Sequence, residues 1–335
     1  MDLVNALFTN AIMGGSGGGV TPSGELSITS NGVYDVASYA SANVNVSAGG
    51  GDDVADWMIT GDGQYNNSTF TTTLSKIGQY GMTGKNMKEF IANNVTDIAT
   101  YGITSCPNLT NLTLLNVTTI PAFAIVSNPL LTTLNAPKLS SIGNQGLAYN
   151  VKLTSLVLDY SNITSIGNSA FRSCNSLTTI AFPELTLVPN AAFYECYRLV
   201  DVSFPKVVTV ASYAFTSCKS LASIYLPVCD VVQSSAFANA IMLSVASLPA
   251  VTKVSDNAFN ACPLESLYLF GSSVPSITSN AFKSTPMSTD AKFSWFGSIF
   301  VKSSMYNAFI TAPAWSDYYS ARVVSMTDEE IAALG

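Results

Sequence analysis

The 335-residue sequence contains no histidine. The commonest general base and metal ligand is therefore missing, and with it every Ser–His or Cys–His nucleophile pair. Charge is scarce as well. Asp, Glu, Lys and Arg make up 10% of the residues, against about a quarter in ordinary domains. The 14 basic residues are scattered, none precedes Lys76, and the net charge is −7. That argues against nucleic acid and anionic membrane surfaces, which need basic patches. The apolar stretch from Leu3 to Met13 is about half the ~20 residues that a bilayer requires. It follows Asp2 rather than a basic n-region, unlike a secretory signal. Leu3, Ala6, Leu7 and Ala11 approximate helical spacing and predict a short amphipathic helix. Such a helix packs on a partner, on a copy of itself, or on the end of its own domain.

What the sequence does have is a period. Ala-Phe pairs recur at Phe171, Phe193, Phe215, Phe237, Phe259 and Phe282, at intervals of 22, 22, 22, 22 and 23. Upstream, the same slot is assigned to Leu147, Phe123 and Ile103, at intervals of 24, 24 and 20. This gives about nine repeats. One of them reads Phe171, Cys174, Leu177, Ile180, Phe182, Pro183, Leu185 and Val188. Ile180 and Phe182 alternate with Thr179 and Ala181, the period of a short half-buried strand. Pro183 ends that strand, because it has no N–H for the ladder. The i, i+3, i+6 spacing from Phe171 through Leu177 predicts a helical or 3₁₀ turn. One such unit cannot bury its own apolar face, whereas stacked units share a continuous core. The pattern predicts an α/β repeat solenoid.

The six cysteines follow the same phase. Cys106, Cys174, Cys196, Cys218 and Cys262 sit three residues after the Phe slot, and Cys229 sits two after a proline. Elsewhere Val126, Asn150, Ala240 and Thr285 are assigned to the Cys slot. All six cysteines are thus predicted to be core residues with free thiols, and neither a metal site nor a cofactor site is expected. The outward strand positions should form a ladder of rungs: Asn111 and Thr113, Thr133 and Asn135, Ser155 and Val157, Thr179 and Ala181, Asp201 and Ser203, Ser223 and Tyr225, Val245 and Ser247, Ser266 and Tyr268. This long, nearly uncharged face is the candidate binding surface, with Tyr225 and Tyr268 as its leading positions. The alternative is a merely solvated sheet. Glu184, Glu195 and Asp201 are close in sequence, as the paired carboxylates of a glycosidase would be in space. Nothing in the phase makes them converge, so no enzyme is expected. The segment GGSGGG lacks the strand–helix context of a phosphate loop.

The ends depart from the repeat. Residues 14–24 and 47–53 are Gly-rich linkers. Between them Leu26, Ile28, Val33 and Val36 bracket the turn dipeptide Asn31-Gly32, and Val44 and Val46 make a third short strand of a small β-module. Asp52, Asp53 and Asp56 suit the start of a short helix running to Gly61, with Trp57 as an anchor. A second helix is placed near Lys85 to Ala92. After Phe282 the repeat gives way to Phe293, Trp295, Phe296, Ile299, Phe300, Tyr306, Phe309, Trp315, Tyr318 and Tyr319. Either they form the core of a cap, which an exposed last repeat requires, or they form a sugar-stacking site.

The Ala-Phe, Cys, Leu, strand, Pro phrase resembles the BspA-like leucine-rich repeats of bacterial surface proteins and phage virion proteins, over about residues 95 to 285. Ile28, Asn31, Gly32, Tyr34, Asp35, Val36, Tyr39 to Ala42 and Asn43 to Val46 resemble a segment of tail and baseplate proteins of phages of Gram-positive bacteria. Gly297 to Val301, Ala308, Trp315, Ser316 and Tyr318 resemble the ending of phage BspA-like proteins, although Lys302 stands where these have Pro. The resemblance implies a helix and linker (1–20), a β-module for virion attachment (21–50), a cap (51–94), the solenoid (95–285) and a C-terminal cap (286–335). It implies a phage tail-tip, baseplate or fibre protein whose solenoid binds a host glycan or protein. Other virion proteins would be its partners through residues 1–50. The alternatives are a bacterial adhesin and a purely structural or decorating virion protein. The absent signal peptide and sorting signal, and free thiols, suit assembly in the host cytoplasm and release within a virion. Homotrimerisation through the N-terminal helix is the expected oligomeric state.

Overall fold

A computed structural model describes residues 75–84, 87–287 and 297–334, apart from the side chains of Asp317 and Tyr318. Before them it describes six short strands, Glu25–Ile28, Tyr34–Asp35, Asn43–Val46, Asp53–Val54, Ile59–Thr60 and Thr69–Thr72. The expected N-terminal helix, the Gly-rich linkers, Asn31-Gly32, Trp57, Phe293, Trp295 and Phe296 lie outside the described residues.

The chain winds into a parallel β-solenoid of about 11 turns. Each turn has three sides. A strand of three or four residues forms the long-strand face, as in Thr179–Ala181, Asp201–Ser203 and Ser223–Tyr225. A two-residue strand forms the short-strand face, as in Leu187–Val188, Thr209–Val210 and Val231–Val232. The third side is a turn carrying the Ala-Phe pair. Strands pair in parallel and in register, so equivalent side chains stack: Ser223, Val245, Ser266 and Ser298 form one column, and Tyr225, Ser247, Tyr268 and Phe300 the next.

The third side is not the helical or 3₁₀ turn expected from the apolar spacing. In most turns two residues, four apart, adopt left-handed backbone, for example Ser169 and Ser173, Ala191 and Glu195, Tyr213 and Ser217; across the repeats φ runs from 51° to 67°. Hydrogen bonds show why. The N–H groups of Ala170, Arg172 and Cys174 bond three residues back, to Gly167, Ser169 and Phe171. Those of Ser169, Phe171 and Ser173 point along the axis and donate to Asn190, Ala192 and Tyr194 of the next turn. A helix would direct all of them inward along its own axis. Here every second one joins neighbouring turns, so the turn side is a third ladder. None of the left-handed residues is Val, Ile or Thr, the types that this backbone tolerates least.

Inside lie Leu177, Ile180, Phe182, Leu185 and Val188, all buried, and their equivalents, nearly all buried, with Leu158, Val202 and Ile277 partly so. The Ala-Phe rings form one stacked column from Phe171 through Phe193, Phe215, Phe237 and Phe259 to Phe282, with centroids 5.2–5.5 Å apart. Burial also corrects the phase of the early repeats. Ile125, not Phe123, is the fully buried residue of its turn. Phe123 is the left-handed residue two positions earlier. The intervals upstream of Phe171 thus become 24, 22 and 22, ending at Ile103. The Cys slot of that turn is then Asn128, not Val126.

The slot has a common task. Cys174, Cys196, Cys218 and Cys262 donate their S–H to the carbonyls of Leu147, Phe171, Phe193 and Phe237 one turn back, at 3.0–3.2 Å. Asn128 and Asn150 donate Nδ2 to the equivalent carbonyls of Ile103 and Ile125, at 3.1 and 2.8 Å. Their Oδ1 atoms also accept the backbone N–H of Cys106 and Asn128, each at 3.0 Å. Where the slot holds Cys or Asn it supplies a donor to the turn before; Ala240 fills it without one, and Thr285 bonds the Phe282 carbonyl of its own turn.

The solenoid extends beyond both expected ends. Glu89–Ile91 is a strand in register with Asn111–Thr113, where a helix was expected near residues 85–92. Met82, Met87, Phe90, Val95 and Ile98 fill repeat positions. The strands Glu25–Ile28, Asn43–Val46 and Thr69–Thr72 continue the same sheet, all in parallel. The strands flanking Asn31-Gly32 do not form a hairpin with each other: Glu25–Ile28 pairs in parallel with Asn43–Val46, and Tyr34–Asp35 with Ile59–Thr60. Asp53–Val54 and Ile59–Thr60 are strands where a helix was expected. At the other end Ser298–Lys302 and Val323–Met326 add two more parallel strands. Phe309, Trp315 and Tyr319 close the core: Tyr319 meets Phe282 edge-on at 5.4 Å, and Trp315 Nε1 donates to the Pro275 carbonyl at 2.7 Å.

One level differs. The turn from Leu147 to Phe171 has two extra residues, taken up around Tyr160–Asn162. Both strand ladders stop there: the long-strand sheet ends at Ser155–Val157, and the short-strand sheet ends at Ser165–Ile166. Only the turn side crosses, through Gln145, Leu147 and Tyr149 donating to Asn168, Ala170 and Arg172.

Two predictions follow from the turn chemistry. Asn150→Ala leaves a buried carbonyl and a buried N–H unpaired, at about 1–3 kcal/mol each. Asn150→Cys restores the carbonyl bond and should lose about half as much, as read from urea midpoints. Ser217→Val places a β-branched residue at positive φ and should cost about 1–3 kcal/mol, whereas Ser217→Gly should match or exceed the parent in thermal midpoint.

Candidate binding face

The long-strand face carries every position singled out from the sequence. Asn111, Thr133 and Asn135 are half-buried, Thr179, Asp201 and Ser223 are exposed, and Tyr225 is 62% exposed. The alternating pattern puts Leu112, Leu134, Ile180 and Ile224 inward between them. Tyr268 is half-buried because Phe300, on the next rung, stacks on it at 4.9 Å and Phe270 packs at 5.7 Å. Sequence reasoning placed Phe300 among the cap aromatics; the in-register pairing of Ser298–Lys302 puts it on this face instead.

The hydroxyls of the molecule divide into two sets. At the corners they bind backbone. Thr110, Thr132 and Thr154 donate to the carbonyls of Lys88, Thr110 and Thr132 one turn back. Ser140, Ser244 and Ser276 do the same to Thr118, Ala222 and Thr252. These bonds satisfy carbonyls at the ladder ends with short side chains, which explains how so little charge suffices. The outward residues of the face behave differently. Among the described residues, the side chains from Asn111 to Tyr268 at the rung positions make no hydrogen bond to the protein. Their donors and acceptors point to whatever lies above the sheet.

The three acids are separated. Glu184 forms an ion pair with Lys206 at 2.7 Å on one corner. Glu195 accepts from Ser173 Oγ on the turn side, at 2.9 Å. Asp201 stands on the long-strand face. Among the described residues no three His, Cys, Asp or Glu side chains gather as a metal-ligand group. No helix of the described residues is long and apolar enough to cross a membrane.

Sequence reasoning missed a second aromatic set, on the turn side. Tyr80, Tyr101 and Phe123 stack at 5.5 Å spacings. Arg172 lies between the rings of Tyr149 and Tyr194, and Lys219 sits over Tyr197 at 4.4 Å. The signal was present as aromatics two residues before the buried slot, but the misplaced phase of Phe123 hid it.

This architecture, with a long strand, a short strand and one turn carrying the buried apolar slot per coil, defines a leucine-rich repeat protein. The model of the BspA type leucine-rich repeat region matches in six copies across residues 61–154, 140–265 and 229–307, and the chain belongs to that family. Solved structures with which it shares similarity include a leucine-rich repeat protein from Bacteroides ovatus ATCC 8483, at 18% identity over 76% of this chain and 83% of that one, with TM-score 0.42. Another, from Eubacterium ventriosum ATCC 27560, is 16% identical over 76% and 85%, with TM-score 0.39. A leucine-rich cell surface protein from Faecalibacterium prausnitzii A2-165 is 16% identical over 91% and 87%, with TM-score 0.39. No curated protein sequence matches the chain.

All six cysteines are buried with free thiols. Burial disfavours the thiolate and pushes Cys174, Cys229 and Cys262 up to about 12; Cys196 and Cys218 move the same way. Ellman's reagent should therefore find no reactive thiol in the folded protein and six after denaturation. The stabilisation from keeping these groups protonated is complete below the unfolded thiol value of about 8.5 and is lost as pH rises towards the folded value. With no histidine to titrate, the urea midpoint should stay level from pH 6 to 8 and fall above about pH 9.

Proposed function

We propose that this chain is a phage virion protein of the tail tip, baseplate or fibre, and that its long-strand face binds the surface of a bacterial host. The observation that carries the reading is the hydrogen-bonding contrast between corners and face. Corner hydroxyls are used up by the backbone, while the amide, hydroxyl and phenol groups of the rungs are left with no hydrogen-bond partner in the described residues. Such a surface suits a neutral glycan or a flat protein. The phage context rests on the resemblance of residues 28–46 and 297–318 to virion segments. On this reading residues 1–50 contact other virion proteins, the chain forms a homotrimer there, and the protein travels in the virion. Its work is binding, without catalysis, cofactor, nucleic acid or membrane insertion.

A second reading has support from the repeat family itself: the same face on a bacterial surface adhesin. The two are separated by mass spectrometry. The protein should appear in purified virions from an induced host rather than in the washed cell-surface fraction of uninduced cells. Binding is tested by sedimenting the full chain with purified Gram-positive cell walls. Thr133→Arg together with Thr179→Arg should abolish co-sedimentation, and Ser165→Arg on the short-strand face should leave it intact. Equal behaviour of the two variants would sink the assignment of the face.

A further inference from the structure

We infer that Tyr225 and Tyr268 are the two walls of a slot that holds one hexopyranose unit of a neutral polysaccharide over Ser247. The inference rests on the long-strand face being a binding surface and specifies what it takes up.

The column Tyr225, Ser247, Tyr268, Phe300 is in register. Adjacent parallel strands are ~4.8 Å apart, so the two tyrosines, two rungs apart, are separated by about 9–10 Å. The side chain between them is a serine. A ring in that gap meets each tyrosine at about 4.5–5 Å, the centroid distance of a stacked contact. A puckered sugar chair fills that space.

The walls differ in a useful way. Phe300 stacks on Tyr268 with an interplanar angle of 16° and Phe270 packs on it at 5.7 Å, so that ring is buttressed, and its neighbour on the opposite rung is Ser247. Tyr225 has serine on one neighbouring rung, Ser247, and is 62% exposed. Ser223 and Ser266 flank the slot on the parallel column, with Val245 between them. None of these three serine hydroxyls, counting Ser247, is bonded within the described residues. They supply donors and acceptors at the sugar edge, and Val245 supplies an apolar contact for its C–H face. No charged side chain stands among these six outward positions, which favours an uncharged sugar over an anionic one. A sugar lying parallel to the rings carries its glycosidic bonds in that plane. The polysaccharide therefore crosses the face along the strand direction, between rungs, rather than running along the solenoid axis.

The test uses the full chain with cellohexaose and chitohexaose as neutral pyranose probes, followed by saturation-transfer NMR and by competition against cell-wall co-sedimentation. At least one oligomer should give transfer to sugar ring protons. Tyr225→Ala and Tyr268→Ala should each weaken that binding at least tenfold. Ser247→Phe is the decisive variant. It completes an aromatic column that already holds large side chains at Tyr268 and Phe300, so the fold is retained, checked by an unchanged thermal midpoint. It closes the gap, and binding should be lost. Retained or increased binding in Ser247→Phe would overturn the slot in favour of a general aromatic surface. No transfer from either oligomer, with wall binding still abolished by the Thr133/Thr179 arginine pair, would overturn the slot alone and leave a protein partner for the face. Wall binding indifferent to that arginine pair would overturn both.

Discussion

The structure depends on one constraint: each turn must hand its unpaired backbone groups to the next turn at a fixed axial step. Two of the three sides meet it with ordinary parallel strands. The third meets it with the left-handed pair, which turns alternate N–H groups along the axis. Once the step is set on three sides, everything inside repeats at the same interval. Phenylalanine stacks on phenylalanine, and the Cys or Asn slot reaches the carbonyl one turn back. Stability in such a stack is a sum of local units and their interfaces. The open end of the apolar column must be covered, which Trp315, Tyr319 and Phe309 accomplish at the C-terminal side.

The same economy explains the composition. Corner carbonyls need a donor within reach and no more, and Ser or Thr provides it without the entropy or desolvation cost of a long charged side chain. Charge can therefore be spent sparingly, and the long-strand face can be left polar yet nearly neutral. The chemistry of the molecule lies in this difference of use between residues of the same type. Thr132 and Thr133 are adjacent in sequence; one closes a ladder and the other faces out.

Most of the solenoid was legible from spacing. Wherever Ala-Phe and Cys kept a 22-residue interval, the strands, their outward rungs and the buried thiols stand where the phase put them. The reading slipped where the marker changed type. Phe123 looked like the core aromatic because it is an aromatic near the right place, whereas Ile125 carries the burial and Asn128 the slot. Asn31-Gly32 suggested a hairpin because that dipeptide favours tight turns, but short-range turn chemistry does not determine whether the flanking strands pair with each other or with more distant rungs. The helix near residues 85–92 failed for a similar reason: Met87, Phe90 and Ala92 are spaced for either period. The left-handed turn pair was not legible, since Ser, Ala, Tyr, Glu and Asn share no signal beyond the exclusion of β-branched types. Of the candidate site, the two tyrosines were visible, but the wall behind Tyr268 was not. Phe300 lies beyond the regular repeats, and only strand pairing brings it there.

The level between Ser155–Val157 and Thr179–Ala181, where both strand ladders stop and the turn side alone continues, divides the rod mechanically. At the neighbouring levels at least one strand ladder continues beside the turn side. At the dividing level a load opens the two strand faces while the turn side acts as a strap. A particle pulled or pressed against a surface would concentrate its deflection there, so the binding rungs from Thr179 onward, tied by the unbroken short-strand sheet from Leu187–Val188 to Ser276–Ile277, can tilt together relative to the end from which the chain is held.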